Sequence, residues 1–296
     1  MTLVSLVVAV SDRLKSESVS FGHGTTNAFD EAAWLVTWAL GLPLDALESQ
    51  GKHEIDAAGA AKVDALFRRR IETRKPMAYL TGEAWLQDVA FTVDERTIVP
   101  RSYIAELLVD VEETGTLDAW LSDRTRLVLD LCTGNGSLAV LAAMVYPEIA
   151  VDASDVAADA LEIARINVAR HGLGERIALV ESDLFAKLPG RYDLIVCNPP
   201  YVPDASMATL PPEYRAEPAL ALAGGSDGMD LVRRIVAEAP AHMSDDAVLV
   251  LEVGHERVHF EQAFPRLECA WLEVSGGDDC VVLIERRALL AAAKAA

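Results

Sequence analysis

The sequence is short of basic residues, with 26 lysines and arginines against 46 aspartates and glutamates and a formal net charge of −20. A field of that sign repels phosphate backbones and attracts basic surfaces. Free duplex DNA is therefore a poor candidate ligand, and we expect no stable DNA binding. The charge suits a basic partner, although acidity that serves only solubility explains it equally well.

Cysteine pairs and long apolar runs are also missing. The four cysteines show no C-x-x-C spacing, and no apolar run reaches the roughly 18 residues that a membrane span needs. We therefore expect reduced thiols, a cytoplasmic location and no membrane partner. The apolar run at 3–10 has the length of a signal-peptide core, but no basic residue precedes it, so we predict a buried helix.

Two hydrophobic periodicities divide the chain. Apolar residues recur every three or four positions over 28–40 and 55–71, which predicts two amphipathic helices of a small helical domain. β-Branched and aromatic residues over 85–99 predict a short hairpin after it. We expect a helical substrate-recognition domain over 1–84, a hairpin linker over 85–101 and a larger domain over 102–296.

Beyond Arg124, short apolar runs alternate with helical stretches. This alternation predicts an α/β fold with a mostly parallel sheet and helices on both faces. The predicted strands are 127–131, 149–154, 177–181, 192–197 and 247–253. Two final runs, 270–275 and 280–285, flank a glycine-rich turn and predict an antiparallel hairpin at one edge of the sheet.

A loop with two glycines, Cys-Thr-Gly-Asn-Gly at 132–136, follows the first of these strands. In a parallel sheet, ligands bind beyond the carboxyl ends of the strands, where this loop is expected. Gly134 and Gly136 allow the backbone to approach a ligand closely. A nicotinamide dinucleotide is disfavoured, because Ala139 stands where the G-x-G-x-x-G fingerprint has its third glycine.

Three acidic residues lie at the ends of predicted strands. Asp155, about twenty residues after the loop, can accept hydrogen bonds from ribose hydroxyls, and Asp183 is placed for an adenine amino group. Asp130 suits a cationic group, such as the amino-acid portion of a sulfonium ligand, whereas it would repel a diphosphate. The three positions indicate a nucleoside cofactor other than a dinucleotide.

The sharpest motif is Asn198-Pro199-Pro200-Tyr201, directly after the strand at 192–197. An amide nitrogen is a poor nucleophile because its lone pair is delocalised. The Asn198 side-chain oxygen and the Pro199 carbonyl can accept hydrogen bonds from the two N–H groups of such a nitrogen. The prolines fix φ, and Tyr201 can lie flat over the amide or base being methylated. Methyl transfer to a planar nitrogen is predicted, and it requires no metal and no covalent enzyme intermediate.

Residues 130–137 and 198–201 together resemble the protein-(glutamine-N5) methyltransferases, class I Rossmann-like enzymes that modify translation proteins with S-adenosyl-L-methionine. The resemblance extends from about residue 21 to residue 285. Further blocks are similar to the ribosomal-protein branch of that family, the PrmB type: Phe-Gly-His-Gly-Thr at 21–25, Ala-Tyr-Leu-Thr at 78–81, Val-Asp-Glu-Arg at 93–96, Val-Pro-Arg-Ser at 99–102, Leu-Pro-Pro-Glu-Tyr-Arg at 210–215, Glu-Pro at 217–218 and Glu-Val-Gly at 252–254.

The resemblance implies a helical N-terminal domain before a sheet of about seven strands. It implies N5-methylation of a glutamine in the basic ribosomal protein uL3, with ribosomal RNA as an expected neighbour. The implied catalytic residues are Asn198, Pro199, Pro200 and Tyr201. The implied cofactor-binding residues are Asp130, Cys132, Thr133, Gly134, Asn135, Gly136, Asp155, Asp183, Leu184 and Asn198. Asn135 and Ser137 depart from the serine and cysteine usual in the loop, and Asp279 stands where a glycine is expected in the last turn.

Alternatives stay open at this stage. The release-factor branch shares every implied catalytic residue, and only the flanking blocks separate the two. Adenine-N6 methyltransferases of nucleic acid use the same Asn-Pro-Pro-Tyr motif. A non-catalytic cofactor-binding protein or ribosome assembly factor is a third alternative, because motifs alone do not demonstrate turnover.

Two clusters are assigned to exposed surfaces. His255 and His259 stand four apart in an expected helix without an evident third ligand, so no metal site is predicted. The basic run Arg68, Arg69, Arg70, Arg74 and Lys75 is expected on a solvated face, with contact to ribosomal RNA as the alternative.

Overall fold

The computed structural model describes residues 1–109 and 117–295. Its N-terminal part is mainly helical. Its elements are α1 (Leu3–Ser16), α2 (Ala28–Leu40), α3 (Ala46–Gln50), α4 (Ala57–Thr73), α5 (Met77–Thr81) and the hairpin β1 (Glu83–Leu86) and β2 (Val89–Thr92). The Asn27 side chain accepts hydrogen bonds from the first amides of α2, and Gly41 ends that helix in a left-handed conformation. The apolar faces of α1, α2 and α4 share one core, so the helix expected at 3–10 is confirmed.

The larger part of the chain alternates strands with helices around one sheet. Its elements are α6 (Ile104–Val109), β3 (Leu127–Leu131), α7 (Ser137–Val145), β4 (Ala150–Asp155), α8 (Ala158–Arg170), β5 (Ile177–Glu181), β6 (Tyr192–Cys197), α9 (Asp204–Met207), α10 (Pro212–Arg215), α11 (Asp230–Glu238), β7 (Met243–Glu252), α12 (Arg257–Ala263), β8 (Ala270–Val274), β9 (Gly277–Glu285) and α13 (Arg286–Ala295). Two 3-10 turns, Ala219–Ala221 and Ala239–His242, also lie in this part of the chain. The predicted α/β fold with an N-terminal helical region is confirmed.

The strand order β5-β4-β3-β6-β7-β9-β8 places β3 at the point where the chain changes direction across the sheet. Strands β3 to β7 are parallel, and β9 runs antiparallel between β7 and the edge strand β8. Apolar side chains from the two faces of the sheet form two separate cores. The loops that follow β3 and β6 therefore lie side by side at the carboxyl edge, where open α/β sheets bind ligands.

Some element boundaries differ from the expected ones. The linking hairpin spans Glu83–Thr92, because Val93 leaves the strand and packs with Ala78 and Val99 in a small cluster of its own. In the last hairpin Val274 pairs directly with Gly277, so the turn is tighter than the glycine-rich sequence suggests. Among the described residues, every helix is too short or too polar to cross a membrane.

Candidate active site

The loop after β3 is fixed by hydrogen bonds to β4. The Thr133 amide donates to the Ser154 carbonyl over 2.9 Å, and the Gly134 amide donates to the Asp155 carboxylate over 2.9 Å. The other Asp155 oxygen accepts from the Ala157 amide, so this carboxylate joins the loop to the start of α8. Burial raises the pKa of Asp155, while these backbone hydrogen bonds oppose the rise.

The two glycines of the loop have different surroundings. A Cβ on Gly136 would lie 3.1 Å from the Cβ of Ala164 in α8, so the absence of a side chain lets loop and helix pack closely. A Cβ on Gly134 would meet nothing within 4 Å, although its φ of +56° also favours glycine. Gly136 therefore serves packing, and Gly134 leaves backbone exposed to the space in front of the sheet.

Asp130 lies behind the loop and is fully buried. Its carboxylate accepts hydrogen bonds from the Thr133 hydroxyl and the Ala139 amide, while its second oxygen has no hydrogen-bond partner. Burial raises the pKa of Asp130 to about 7, against the effect of those two hydrogen bonds. Asn135 is also buried and accepts from the Ser137 amide, so it shapes the loop from inside.

A cavity of about 630 Å³ opens in front of this loop, at the carboxyl edge of β3, β4 and β6. It is lined by seven of the residues named from the sequence: Cys132, Gly134, Asp155, Asp183, Leu184, Asn198 and Pro200. The other named residues lie outside its lining: Asp130, Thr133, Asn135, Gly136, Pro199 and Tyr201. The sequence motifs thus supply one wall of the cavity and the framework behind it.

The opposite wall carries residues to which sequence reasoning assigned no role. Arg96, Thr97 and Ile98 come from the segment after the hairpin, and the segment 218–225 contributes apolar side chains such as that of Leu220. The family-like blocks at 93–96 and 217–218 each end in the first residue of one of these stretches. They were the sequence signal that could have identified this wall of the cavity. Asp183 pairs with Arg234, which also lines the cavity, with 3.0 Å between carboxylate oxygen and guanidinium nitrogen.

Tyr201 is packed tightly behind Asn198. Its hydroxyl donates to Glu252 over 3.1 Å, and a Cβ on Gly254 would lie 2.6 Å from its ring. Burial, followed by the charge of Glu252, raises the pKa of Tyr201 well above its usual value, so the phenol keeps its proton. Asn198 faces the cavity, and within the described residues its side-chain amide makes no hydrogen bond.

Two buried ion clusters join the N-terminal helices to the loop that follows Tyr201. The Glu217 carboxylate binds both terminal nitrogens of Arg101, at 2.6 and 2.7 Å, and lies 3.4 Å from His23. Burial alone would raise the pKa of Glu217, but the His23 and Arg101 contacts outweigh it and lower that pKa to about 2. The loop that lines the cavity is therefore anchored on the N-terminal helices.

Arg70 forms the second cluster and corrects an expectation. Its guanidinium lies 2.9 Å from Glu31 and 3.2 Å from Glu213, and its side chain is only 1% exposed. The sequence run of basic residues suggests a solvated face, but every third or fourth residue of α4 is buried, and Arg70 is one of these buried positions. The prediction of a solvated face was wrong for Arg70.

The parallel sheet carries a loop with two glycines after β3, an aspartate at the end of β4 and Asn-Pro-Pro-Tyr after β6. Together these features define a Rossmann-like methyltransferase. A family model described as "Methyltransferase small domain" matches residues 111–210. The hMettl16 catalytic domain, solved in complex with MAT2A 3'UTR hairpin 6, has a similar fold, with a TM-score of 0.51, 14% identity and coverage of 77% of this chain and 81% of that one.

Curated relatives give the particular family. A ribosomal protein uL3 glutamine methyltransferase of Bordetella pertussis is 52% identical, with 97% of this chain and 96% of the relative covered. One of Neisseria meningitidis serogroup B is 47% identical, with 94% and 91% covered. The chain belongs to the family of ribosomal protein uL3 glutamine methyltransferases.

Proposed function

We propose that this protein transfers a methyl group from S-adenosylmethionine to the side-chain amide nitrogen of a glutamine in ribosomal protein uL3. The observation that carries the proposal is the position of Asn198, which lines the cavity beside the glycine loop and whose side-chain oxygen accepts no hydrogen bond from the described residues. The relatives named above are all called uL3 glutamine methyltransferases, which supports that acceptor over a release factor.

The cavity fits the methyl donor. The open backbone at Gly134 accommodates a group that approaches closely, and Asp155 offers carboxylate lone pairs to ribose hydroxyls. Leu184, Leu220 and Leu231 supply an apolar lining suited to an adenine ring. S-Adenosylmethionine, when bound, supplies an electrophilic methyl group on sulfonium.

The acceptor nitrogen needs help because its lone pair is delocalised into the amide carbonyl. The Asn198 oxygen and the Pro199 carbonyl can each accept one N–H of the acceptor amide, which orients the remaining lone pair towards the cavity. This positioning of the acceptor nitrogen, together with the exclusion of water, accounts for the rate enhancement of methyl transfer. Tyr201 has a positioning role in this proposal. Its ring is held by contacts with Glu252 and Gly254, and it fixes the position of the adjoining Asn-Pro-Pro segment.

Most of the basic side chains at 68–75 pair with carboxylates of this chain. Of the basic run, Arg70 is buried, Arg74 pairs with Glu213, and Lys75 pairs with Glu95. These side chains are therefore committed to carboxylates of the same chain. Ribosomal RNA beside the substrate and a cytoplasmic location remain predictions that follow from the acceptor.

The test is incubation with labelled S-adenosylmethionine and either uL3 or a release factor, followed by mass mapping of the modified residue. Methyl on a uL3 glutamine is the expected result, whereas methyl on the release factor would keep the chemistry and change the partner. Asn198→Ala should lower kcat by about 100-fold or more. Its cofactor Kd should stay near that of the unchanged protein, and an equal loss of binding and turnover would remove the role assigned to Asn198.

A further inference from the structure

His255, Asp279 and Cys280 meet at a second site, away from the cavity. The expected helix containing His255 and His259 begins only at Arg257, so His255 lies in the turn after β7. There it faces β9, the strand that carries Asp279 and Cys280. The Val253 amide donates to the Cys280 carbonyl over 2.9 Å, which fixes the register between the turn and β9.

The three side chains present one nitrogen, one oxygen and one sulfur to a common point. The Cys280 Sγ and His255 Nδ1 are 3.5 Å apart, His255 Nδ1 and Asp279 Oδ1 are 3.5 Å apart, and Cys280 Sγ and Asp279 Oδ1 are 3.4 Å apart. Bond lengths to tetrahedral Zn²⁺ of about 2.3 Å for sulfur and about 2.0 to 2.2 Å for nitrogen and oxygen give ligand separations of about 3.4 to 3.6 Å. The spacing matches that geometry without any movement of the strands.

The charges around these side chains favour a cation. The carboxylates of Asp279, Glu252 and Asp278 place negative charge around the Cys280 thiol. The Arg257 guanidinium pairs with Glu261, lies over the Trp271 ring and also donates to the Asp278 carbonyl over 3.2 Å. The ion pair of Arg257 is with Glu261, so the carboxylates beside the thiol keep a surplus of negative charge.

We propose that His255, Asp279 and Cys280 form a binding site for a divalent cation of the zinc class. The sulfur and imidazole ligands select zinc-like ions over magnesium or calcium, which prefer oxygen ligands throughout. The thiol releases its proton to solvent as the sulfur–metal bond forms, because the thiolate is the ligand. His255 is 69% exposed, so a water completes the tetrahedron from the solvent side.

The site differs from the family pattern and touches the framework of the active site. Asp279, the oxygen ligand, stands where the family resemblance leads us to expect glycine. Gly254, which supports the Tyr201 ring, directly precedes His255. A bound ion would tie that turn to β9 and hold the support of Tyr201 in place.

The test is titration of the full-length protein with Co²⁺, followed by optical spectroscopy and competition with Zn²⁺. One Co²⁺ per chain with a tetrahedral visible spectrum and a near-ultraviolet thiolate charge-transfer band is expected, and Mg²⁺ should not compete. Cys280→Ser should abolish the thiolate band. His255→Ala and Asp279→Asn should each weaken binding by about tenfold or more.

Matched controls exist for both ligand types. Cys269→Ser changes an exposed cysteine, and His259→Ala changes a histidine that pairs with Glu256, so both should bind Co²⁺ like the unchanged protein. The proposal is overturned if the unchanged protein gives no thiolate band or if the band survives in Cys280→Ser. If Cys280→Ser does not fold, unaltered affinity in the two exposed-ligand variants overturns it instead.

Discussion

Gly134 and Gly136 stand two residues apart, yet each should respond differently to an added methyl group. In Gly136→Ala the new Cβ would lie 3.1 Å from the Ala164 Cβ at a φ of +80°, so the free energy of unfolding should fall by about 1 to 3 kcal/mol. In Gly134→Ala the methyl group meets open space, so the loss of stability should be smaller, about 1 to 2 kcal/mol from φ alone.

The effects of the two substitutions on the cofactor Kd should rank in the opposite order to their effects on stability. Gly134→Ala places a methyl group in the cavity and should weaken cofactor binding more than Gly136→Ala does, when each folded variant is measured by calorimetry. Urea denaturation of the same samples gives the stability ranking. Equal cofactor affinity for Gly134→Ala and the unchanged protein would show that the cofactor does not approach this backbone.

Residues close in sequence were predictable, and contacts between distant residues were not. The Asn-Pro-Pro-Tyr motif and the glycine loop were visible because their spacing carries the chemistry. The contact of Tyr201 with Glu252 joins residues 51 positions apart, and the burial of Arg70 depends on Glu213, 143 positions away. No local pattern encodes such partners, so Tyr201 was expected on the substrate side and Arg70 on a solvated face.

Helix α8 couples the hairpin to the glycine loop through one buried side chain, Asn167. Its amide group accepts from the Thr92 amide at 2.7 Å and donates to the carbonyls of Thr92 and Asn135, each at 2.9 Å. Asn167→Leu leaves these three backbone groups without their partner. The free energy of unfolding should therefore fall by about 2 to 4 kcal/mol.

The measurement is urea denaturation, with Arg165→Ala on the exposed face of the same helix as the control. The cofactor Kd of folded Asn167→Leu should also rise, because Asn135 belongs to the loop that carries Gly134. A variant as stable as the control would show that water replaces the lost hydrogen bonds.

Long periodic elements were predicted well, and short irregular ones were not. Helix α2 and strands β3, β5 and β6 have the expected bounds, because apolar runs of clear period end there at polar or turn-forming residues. The short helices α3, α5, α9 and α10 span one turn or little more, too few residues for a period to show. The segment 218–225 on the cavity wall lacks periodicity altogether, so its part in the site emerged only from the structure.

The free energy of unfolding of the whole molecule should depend on the ionisation of Glu217 at acid pH. Its pKa falls from 4.5 to about 2 on folding, so this carboxylate stabilises the folded state above pH 4.5, and the contribution disappears as the pH falls towards 2. The shift corresponds to about 3 kcal/mol. Glu217→Gln should be clearly less stable than the unchanged protein at pH 6, with the gap narrowing by pH 3.

Denaturant titrations at the two pH values measure that gap. Glu268→Gln, which changes an exposed carboxylate, is the control and should differ little from the unchanged protein at either pH. A gap for Glu217→Gln that is constant with pH would mean that the carboxylate is not preferentially ionised in the folded state.

Net charge predicts how the whole enzyme meets its basic substrate. At −20, the chain should attract uL3 over distances that salt screens, about 10 Å at 0.1 M and about 3 Å at 1 M ionic strength. The kcat/KM for uL3 should fall by about tenfold or more between low and high salt, while kcat at saturating uL3 changes little. An acceptor KM that is independent of salt would assign the acidity to solubility alone.

The position of β9 between β7 and β8 affects how the protein folds during its synthesis on the ribosome. Strand β7 ends in Glu252, the partner of Tyr201, but its outer edge stays unpaired until residues 277–285 have left the exit tunnel. Residues 277–285 must therefore be translated before the sheet around the acceptor loop can close. A product cut short before β9 would expose the unpaired edge of β7, where other chains could add by strand pairing, and would lack the closed sheet that supports Tyr201.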